Sequence, residues 1–154
     1  VSDARRAIRY SEDVGALTPA NLAGGFFEAW PVPPSGDLHL AHLRGAEVAI
    51  VAIDDAGPGQ PVVGFVTAIG DGVLTAFIPL LEVLPAYRGA GIGGELLRRV
   101  RTRLGERYSV DLVCDPDLVP FYERLGGVPL TAVTWRNRGA LEPHDAGSPM
   151  AMER

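Results

Sequence analysis

The chain contains no lysine; all fourteen of its basic residues are arginines. That excludes a P-loop, which needs a lysine on its phosphates, and any lysine Schiff base. Phosphate, if bound, must be met by backbone amides and arginine. Cysteine is nearly absent too: Cys114 stands alone, so there is no internal disulfide and no all-cysteine metal site. No apolar run approaches the roughly 18 residues of a membrane helix, so no membrane partner is expected. The opening residues are polar and arginine-bearing rather than signal-like, and a cytoplasmic protein is the expectation. A net charge of −5 offers little to duplex nucleic acid, whose binding rests on neutralised phosphates, so no nucleic-acid partner is expected. With 154 residues, 47% of them hydrophobic and 21% charged, the chain has the material for one globular core.

Glycine, by contrast, is concentrated. Residues 80–95 read Leu-Leu-Glu-Val-Leu-Pro-Ala-Tyr-Arg-Gly-Ala-Gly-Ile-Gly-Gly-Glu, with four glycines between Gly89 and Gly94. Glycine lets the backbone bend tightly and a ligand approach its amides. A helix that starts there presents unpaired N–H groups and positive dipole charge, which suits phosphate.

The rest of the chain gives this turn a setting. Residues 6–10 alternate as an opening edge strand, and residues 18–30 read as a helix capped by Thr18-Pro19, weakened by Gly24 and Gly25. Residues 30–36 form a proline-rich loop, and residues 37–44 a short helix with Leu40 and Leu43 inward. Strands follow at 47–54, 62–69 and 73–84, joined by short turns as an antiparallel meander. Pro79 lies inside the third, where it predicts an edge, a bulge or a parting of the sheet. Residues 91–104 carry one apolar stripe, Ile92, Leu96, Leu97, Val100 and Leu104, and form the clearest helix. A short strand at 110–114, a helix at 121–125 and a last strand at 128–135 complete an α+β domain over residues 1–136. Residues 137–154 read as a polar, mobile tail.

Gly89, Gly91 and Gly94 also fit the G-x-G-x-x-G of a dinucleotide-binding turn, with Asp111 twenty residues past Gly91. Three features count against that fold. Pro-Ala-Tyr-Arg separates the glycines from the strand, the preceding strands are antiparallel, and too little chain follows for further parallel units. A turn with no ligand remains the plainer alternative.

Arg88-Gly89-Ala90-Gly91-Ile92-Gly93 resembles the R/Q-x-x-G-x-G/A signature of the GNAT superfamily of N-acetyltransferases, and residues 81–85 resemble the strand ending before it. Phe121-Tyr122-Glu123-Arg124-Leu125-Gly126 is similar to that family's F-Y-x-x-x-G segment, in the same order. The resemblance implies a mostly antiparallel, centrally splayed sheet flanked by helices. It implies acetyl-CoA as co-substrate, with the pyrophosphate on the amides of Arg88, Gly89, Ala90, Gly91, Ile92 and Gly93, and Gly94 adjoining. The backbone of Leu81 and Val83 would hold the acetyl and pantetheine end. The segment at 115–118 departs from the family pattern, with Asp117 where asparagine is common.

By the same resemblance Tyr122 would donate a proton to the leaving sulfur; as a plain aromatic it would instead be core beside Phe121. Deprotonating the amine needs a carboxylate or histidine. Glu82, charged between Leu81 and Val83, is the first candidate, although a bulge at Pro79 leaves its face open; Asp111 and Glu28 are weaker ones. His39 and His42 share a helical face beside Asp37, but no third ligand is evident and exposed helix residues explain them more simply, so no metal is expected. Phe27, Trp30 and His39 fall where the family places its acceptor and suggest a small amine with an apolar or aromatic body. A homodimer is left open. The other reading is a domain that binds acyl-CoA without transferring it, as a sensor or subunit.

Overall fold

The computed structural model describes residues 7–141. One five-stranded sheet runs in the order β1 (Ile8–Ser11), β2 (Val48–Asp54), β3 (Val62–Gly70), β4 (Thr75–Val83), β5 (Ser109–Leu112). The first four strands pair antiparallel and β5 lies parallel to β4. Three helices accompany the sheet: α1 (Gly36–Gly45), α2 (Ile92–Leu104) and α3 (Val119–Arg124).

All seven residues of β2 and the first seven of β3 are buried, because both faces of the sheet are covered. On one face lies α2, whose stripe Ile92, Leu96, Leu97, Val100 and Leu104 is buried; each such side chain contributes about 1.5–3 kcal/mol. The approach is close. A Cβ on Gly64 would stand 3.2 Å from Leu96 Cδ1 and 3.3 Å from Ile92 Cγ2. On the other face Phe26, Phe27 and His39 close over Phe65, and His42 Nε2 lies 2.9 Å from the buried Thr67 Oγ1.

Two features of β4 shape the site. Thr67 pairs with Leu80 but Ile69 with Phe77, so Ile78 and Pro79 oppose Ala68 alone, a bulge at the proline that lacks a ladder donor. Pairing with β5 covers only Thr75 to Ile78, while β4 runs on to Val83. The sheet therefore parts after Ile78.

Two sequence expectations fail. The helix over residues 18–30 is only a 3-10 turn, Pro19–Leu22, capped by Thr18 and Asn21, whose Oδ1 accepts from Thr18 N at 2.9 Å. Beyond it Gly25 and Phe27 take left-handed φ of 95° and 63°, which a helix cannot contain. The last strand, expected over residues 128–135, does not form: no regular structure is present there, and the sheet of the described residues ends at β5. Of the tail, Arg138–Leu141 form a 3-10 turn, and residues 142–154 lie outside the described residues, as do residues 1–6.

Candidate active site

The glycine turn follows β4 through a 3-10 turn, Pro85–Tyr87. Gly89 and Gly91 sit at φ 77° and 81°, so the loop needs glycine there, and Gly91 caps α2 without any side-chain cap. The first intrahelical bond at this end runs from Glu95 N to Gly91 O, at 3.0 Å. The amides of Ile92, Gly93 and Gly94 thus lack intrahelical acceptors. A Cβ on Gly94 would meet nothing within 4 Å, so neither strain nor crowding demands glycine at that helical position. Arg88, exposed, donates from Nε to Val83 O at 2.9 Å and ties the turn to the end of β4.

The ladder phase orients β4. Leu84 N donates to Val63 O at 2.9 Å, which makes that pair and the pair Phe65 and Glu82 the hydrogen-bonded ones. Leu81 and Val83 consequently turn their N–H and C=O away from β3, into the gap where β5 has departed. Their side chains face α2, with Val83 Cγ2 3.7 Å from a Cβ built on Gly93.

Glu82 points the other way, beneath the aromatic cluster. Its Oε1 accepts from Phe27 N at 2.8 Å, which settles the face that the bulge left open. Phe27 reaches it through its left-handed backbone. Half-burial raises the Glu82 pKa above the ordinary carboxylate value, while the Phe27 N–H and the charge of Arg88 pull against that rise and Glu28 adds to it.

The aromatic wall is more closed than the sequence suggests. Phe27 and His39 are each 3% exposed, with ring centroids 4.8 Å apart, so both are core. Reading the histidines as exposed is therefore wrong: His39 is buried, His42 is half-buried, and burial lowers both pKa values, His39 to about 4. Trp30, partly exposed and 5.1 Å from Phe27, is the one of the three that a ligand can touch directly.

Across the gap, Phe121 leans on the glycine turn, its Cζ 3.6 Å from a Cβ built on Gly93. Tyr122 is half-buried against the core beside Cys114. Burial and the Cys114 thiol push its hydroxyl up to about 12, so it keeps its proton at neutral pH. Cys114 lies just beyond β5 rather than within a core strand. Asp111 and Glu28 are exposed, and Asp111 accepts from Ser109 Oγ at 2.7 Å. Among the described residues no three His, Cys, Asp or Glu side chains gather as a metal would require. A cleft of about 610 Å³ between β1 and the C-terminal half of α2 lies elsewhere. Its arginines are committed, Arg98 and Arg99 to Glu95 and Arg103 to Glu12.

Two parts of the site were invisible to sequence reasoning. The Phe27 amide that grips Glu82 is a backbone group, signalled only by the paired glycines before it. The Arg88 bond to the Val83 carbonyl depends on the intervening turn.

The arrangement has relatives. The profile of the acetyltransferase (GNAT) family matches residues 19–127. An uncharacterized N-acetyltransferase, ycf52, of the alga Pyropia yezoensis is 27% identical over 63% of this chain, and the chain spans little more than half, 56%, of that relative's length. A crystal structure described as a candidate acetyltransferase from Deinococcus radiodurans R1 is 46% identical, covers 85% of this chain and 89% of its own, and superposes with a TM-score of 0.80. A GNAT family protein of Streptococcus pneumoniae TIGR4 is 26% identical, covers 85% of this chain and 97% of its own, and gives 0.63. With the glycine turn, the parted sheet and the family profile in agreement, the chain belongs to the GNAT family of acetyltransferases.

Proposed function

We propose that this protein transfers an acetyl group from acetyl-CoA to the amine of a small molecule, by direct attack while both are bound. The observation that carries the reading is the gap after Ile78. On one side stand the inward-turned backbone of Leu81 and Val83 and the free amides of Ile92 to Gly94; on the other stand Phe121 and Tyr122. Acetyl-CoA would bring the acyl group as a thioester. The residues present fit it: unpaired amides and Arg88 for pyrophosphate, and strand backbone for the pantetheine arm. Glu82 accepts the proton that the attacking amine gives up, and Tyr122 returns one to the departing sulfur. Trp30 offers an apolar surface to the acceptor.

Calorimetric titration with acetyl-CoA, followed by a free-thiol assay over a panel of amines, tests this directly. Binding together with amine-dependent CoA release is the expected result. Tight binding without release would leave an acyl-CoA sensor, and no binding would remove both readings. Tyr122→Phe should lower kcat about 10²-fold with acetyl-CoA affinity changed less than twofold; unchanged turnover would take Tyr122 out of the acid role.

Gly94 separates a ligand-binding turn from a bare one. Alanine in its place should stabilise α2 by up to about 1 kcal/mol, since the position is helical and uncrowded. The same methyl would stand over the amides that receive the pyrophosphate. Gly94→Ala is therefore expected to raise the melting temperature and weaken acetyl-CoA binding about tenfold, measured by thermal melts and calorimetry on one preparation.

A further inference from the structure

The glycine turn is fastened to more of the sheet than its own strand. Tyr87 N donates to Leu84 O at 2.9 Å, Arg88 N to Pro85 O at 3.3 Å and Arg88 Nε to Val83 O at 2.9 Å. These bonds fold the turn and hold it to β4. Tyr87 also reaches past β3: its hydroxyl donates at 2.8 Å to Oδ2 of Asp54, the last residue of β2 and 33 positions away in the chain. The ring between backbone and hydroxyl packs on the core, which fixes the direction of that bond.

Asp54 is itself immobilised. It is 6% exposed, and a carboxyl group so buried needs partners for both oxygens. Oδ2 has Tyr87, and Oδ1 accepts from Ala56 N at 3.1 Å in the turn that leaves β2. The backbone is held as well, with Asp54 N donating to Pro61 O at 3.0 Å and Asp54 O accepting from Gly57 N at 3.1 Å. Next to it, Asp55 pairs with Arg9 of β1 at 2.9 Å and braces the same corner. The segment on the other side of Tyr87 is of the opposite kind. Gly89 and Gly91 stand at positive φ, and glycine has the most conformational freedom to lose.

We propose that Tyr87 and Asp54 are positioning residues for the cofactor, their hydrogen bond holding the glycine turn in the shape that receives a pyrophosphate before the ligand arrives. The inference rests on the reading of this turn as the acetyl-CoA site, and adds what keeps the turn ready. A loop ordered in advance spares the ligand the cost of ordering it. Neither side chain acts on the acetyl group, so the effect belongs to the affinity for the pyrophosphate end. A tyrosine that merely filled the core would, when altered, loosen the whole site.

The test compares two thioesters. Acetyl-CoA is titrated by calorimetry, and S-acetylpantetheine, which has the acetyl group and part of the arm but no pyrophosphate, by protein NMR shifts. Tyr87→Phe keeps the ring and deletes one hydroxyl. It is expected to weaken acetyl-CoA about three- to tenfold, the range of one such hydrogen bond, and S-acetylpantetheine less than about twofold. Asp54→Ala should weaken acetyl-CoA by a similar factor, and the double variant no more than either single one, since the two act through one bond. Asp54→Asn, whose amide can donate to Tyr87 Oη while its oxygen accepts from Ala56 N, should recover to within about twofold of wild type. Tyr87→Phe with wild-type affinity for acetyl-CoA would overturn the inference and leave the proposed function standing. So would an equal loss for both thioesters, the mark of a general loosening, or additive losses in the double variant. Wild-type protein that binds neither thioester, or both equally, would remove the pyrophosphate reading and this inference together.

Discussion

Glu82→Gln is expected to reduce kcat/KM with the amine acceptor by about 10²–10⁴-fold, the range that a positioned general base supplies. The substitution isolates charge from shape. Glutamine keeps a side-chain oxygen for the Phe27 N–H, which Glu82 Oε1 accepts at 2.8 Å, and fills the same volume. Because burial already disfavours the Glu82 carboxylate, removing its charge should not destabilise the fold. A change within about 0.5 kcal/mol in chemical denaturation is expected. Glu82→Ala is the contrasting variant. It strands the Phe27 amide as well, at a cost of about 1–3 kcal/mol, and so confounds stability with catalysis. A pH profile distinguishes a base from a structural carboxylate. With Glu82 present, kcat/KM should rise with pH through an ionisation lying above the ordinary carboxylate range and then level. In Glu82→Gln only amine already neutral in solution can react, and the rate should climb about tenfold per pH unit until the amine's own pKa is reached. A glutamine variant with the wild-type profile would remove Glu82 from the base role.

The sequence made some of this site legible and hid the rest for definite physical reasons. The five strands are legible from β-branched and apolar runs and the turns between them, and the long helix from its periodicity: α2 runs from Ile92 to Leu104 as its apolar stripe predicts. Pro79 predicts an edge, a bulge or a parting, because a proline cannot donate to the ladder; it sits in a bulge, and the sheet parts beside it. The face of Glu82 could not be read, since it depends on how many residues the bulge absorbs. One residue more or fewer would have turned it to α2. Residues 18–30 have the apolar spacing of a helix, but Gly25 and Phe27 leave the helical region and bring the Phe27 amide to Glu82. Residues 128–135 show the converse: strand chemistry is plain in the sequence, whereas pairing depends on an edge that alternation cannot locate.

Acidification should weaken the fold, and His39 is the reason. It is 3% exposed, ringed by Phe26, Phe27 and Phe65 at centroid distances of 5.3, 4.8 and 4.6 Å, and its Nε2 has no partner among the described residues. Burial, with the charge of His42 as a smaller cause, lowers its pKa from 6.5 to about 4. As pH falls the unfolded chain binds the proton first. Stability is therefore full above about pH 6.5 and declines until the folded imidazole itself protonates near pH 4. At about 1.4 kcal/mol per unit the loss approaches ~3 kcal/mol, and His42, lowered by burial in the same direction, adds to it. Denaturation at pH 7.5 and pH 5 should show the decline, and His39→Phe should flatten most of it; an unchanged slope would place the acid sensitivity elsewhere. The same variant bears on catalysis. Phe27 packs on His39 and its amide holds Glu82, so protonating His39 is expected to loosen the proposed base and mimic its titration. In His39→Phe, acid inactivation that persists while the fold is intact belongs to Glu82 itself.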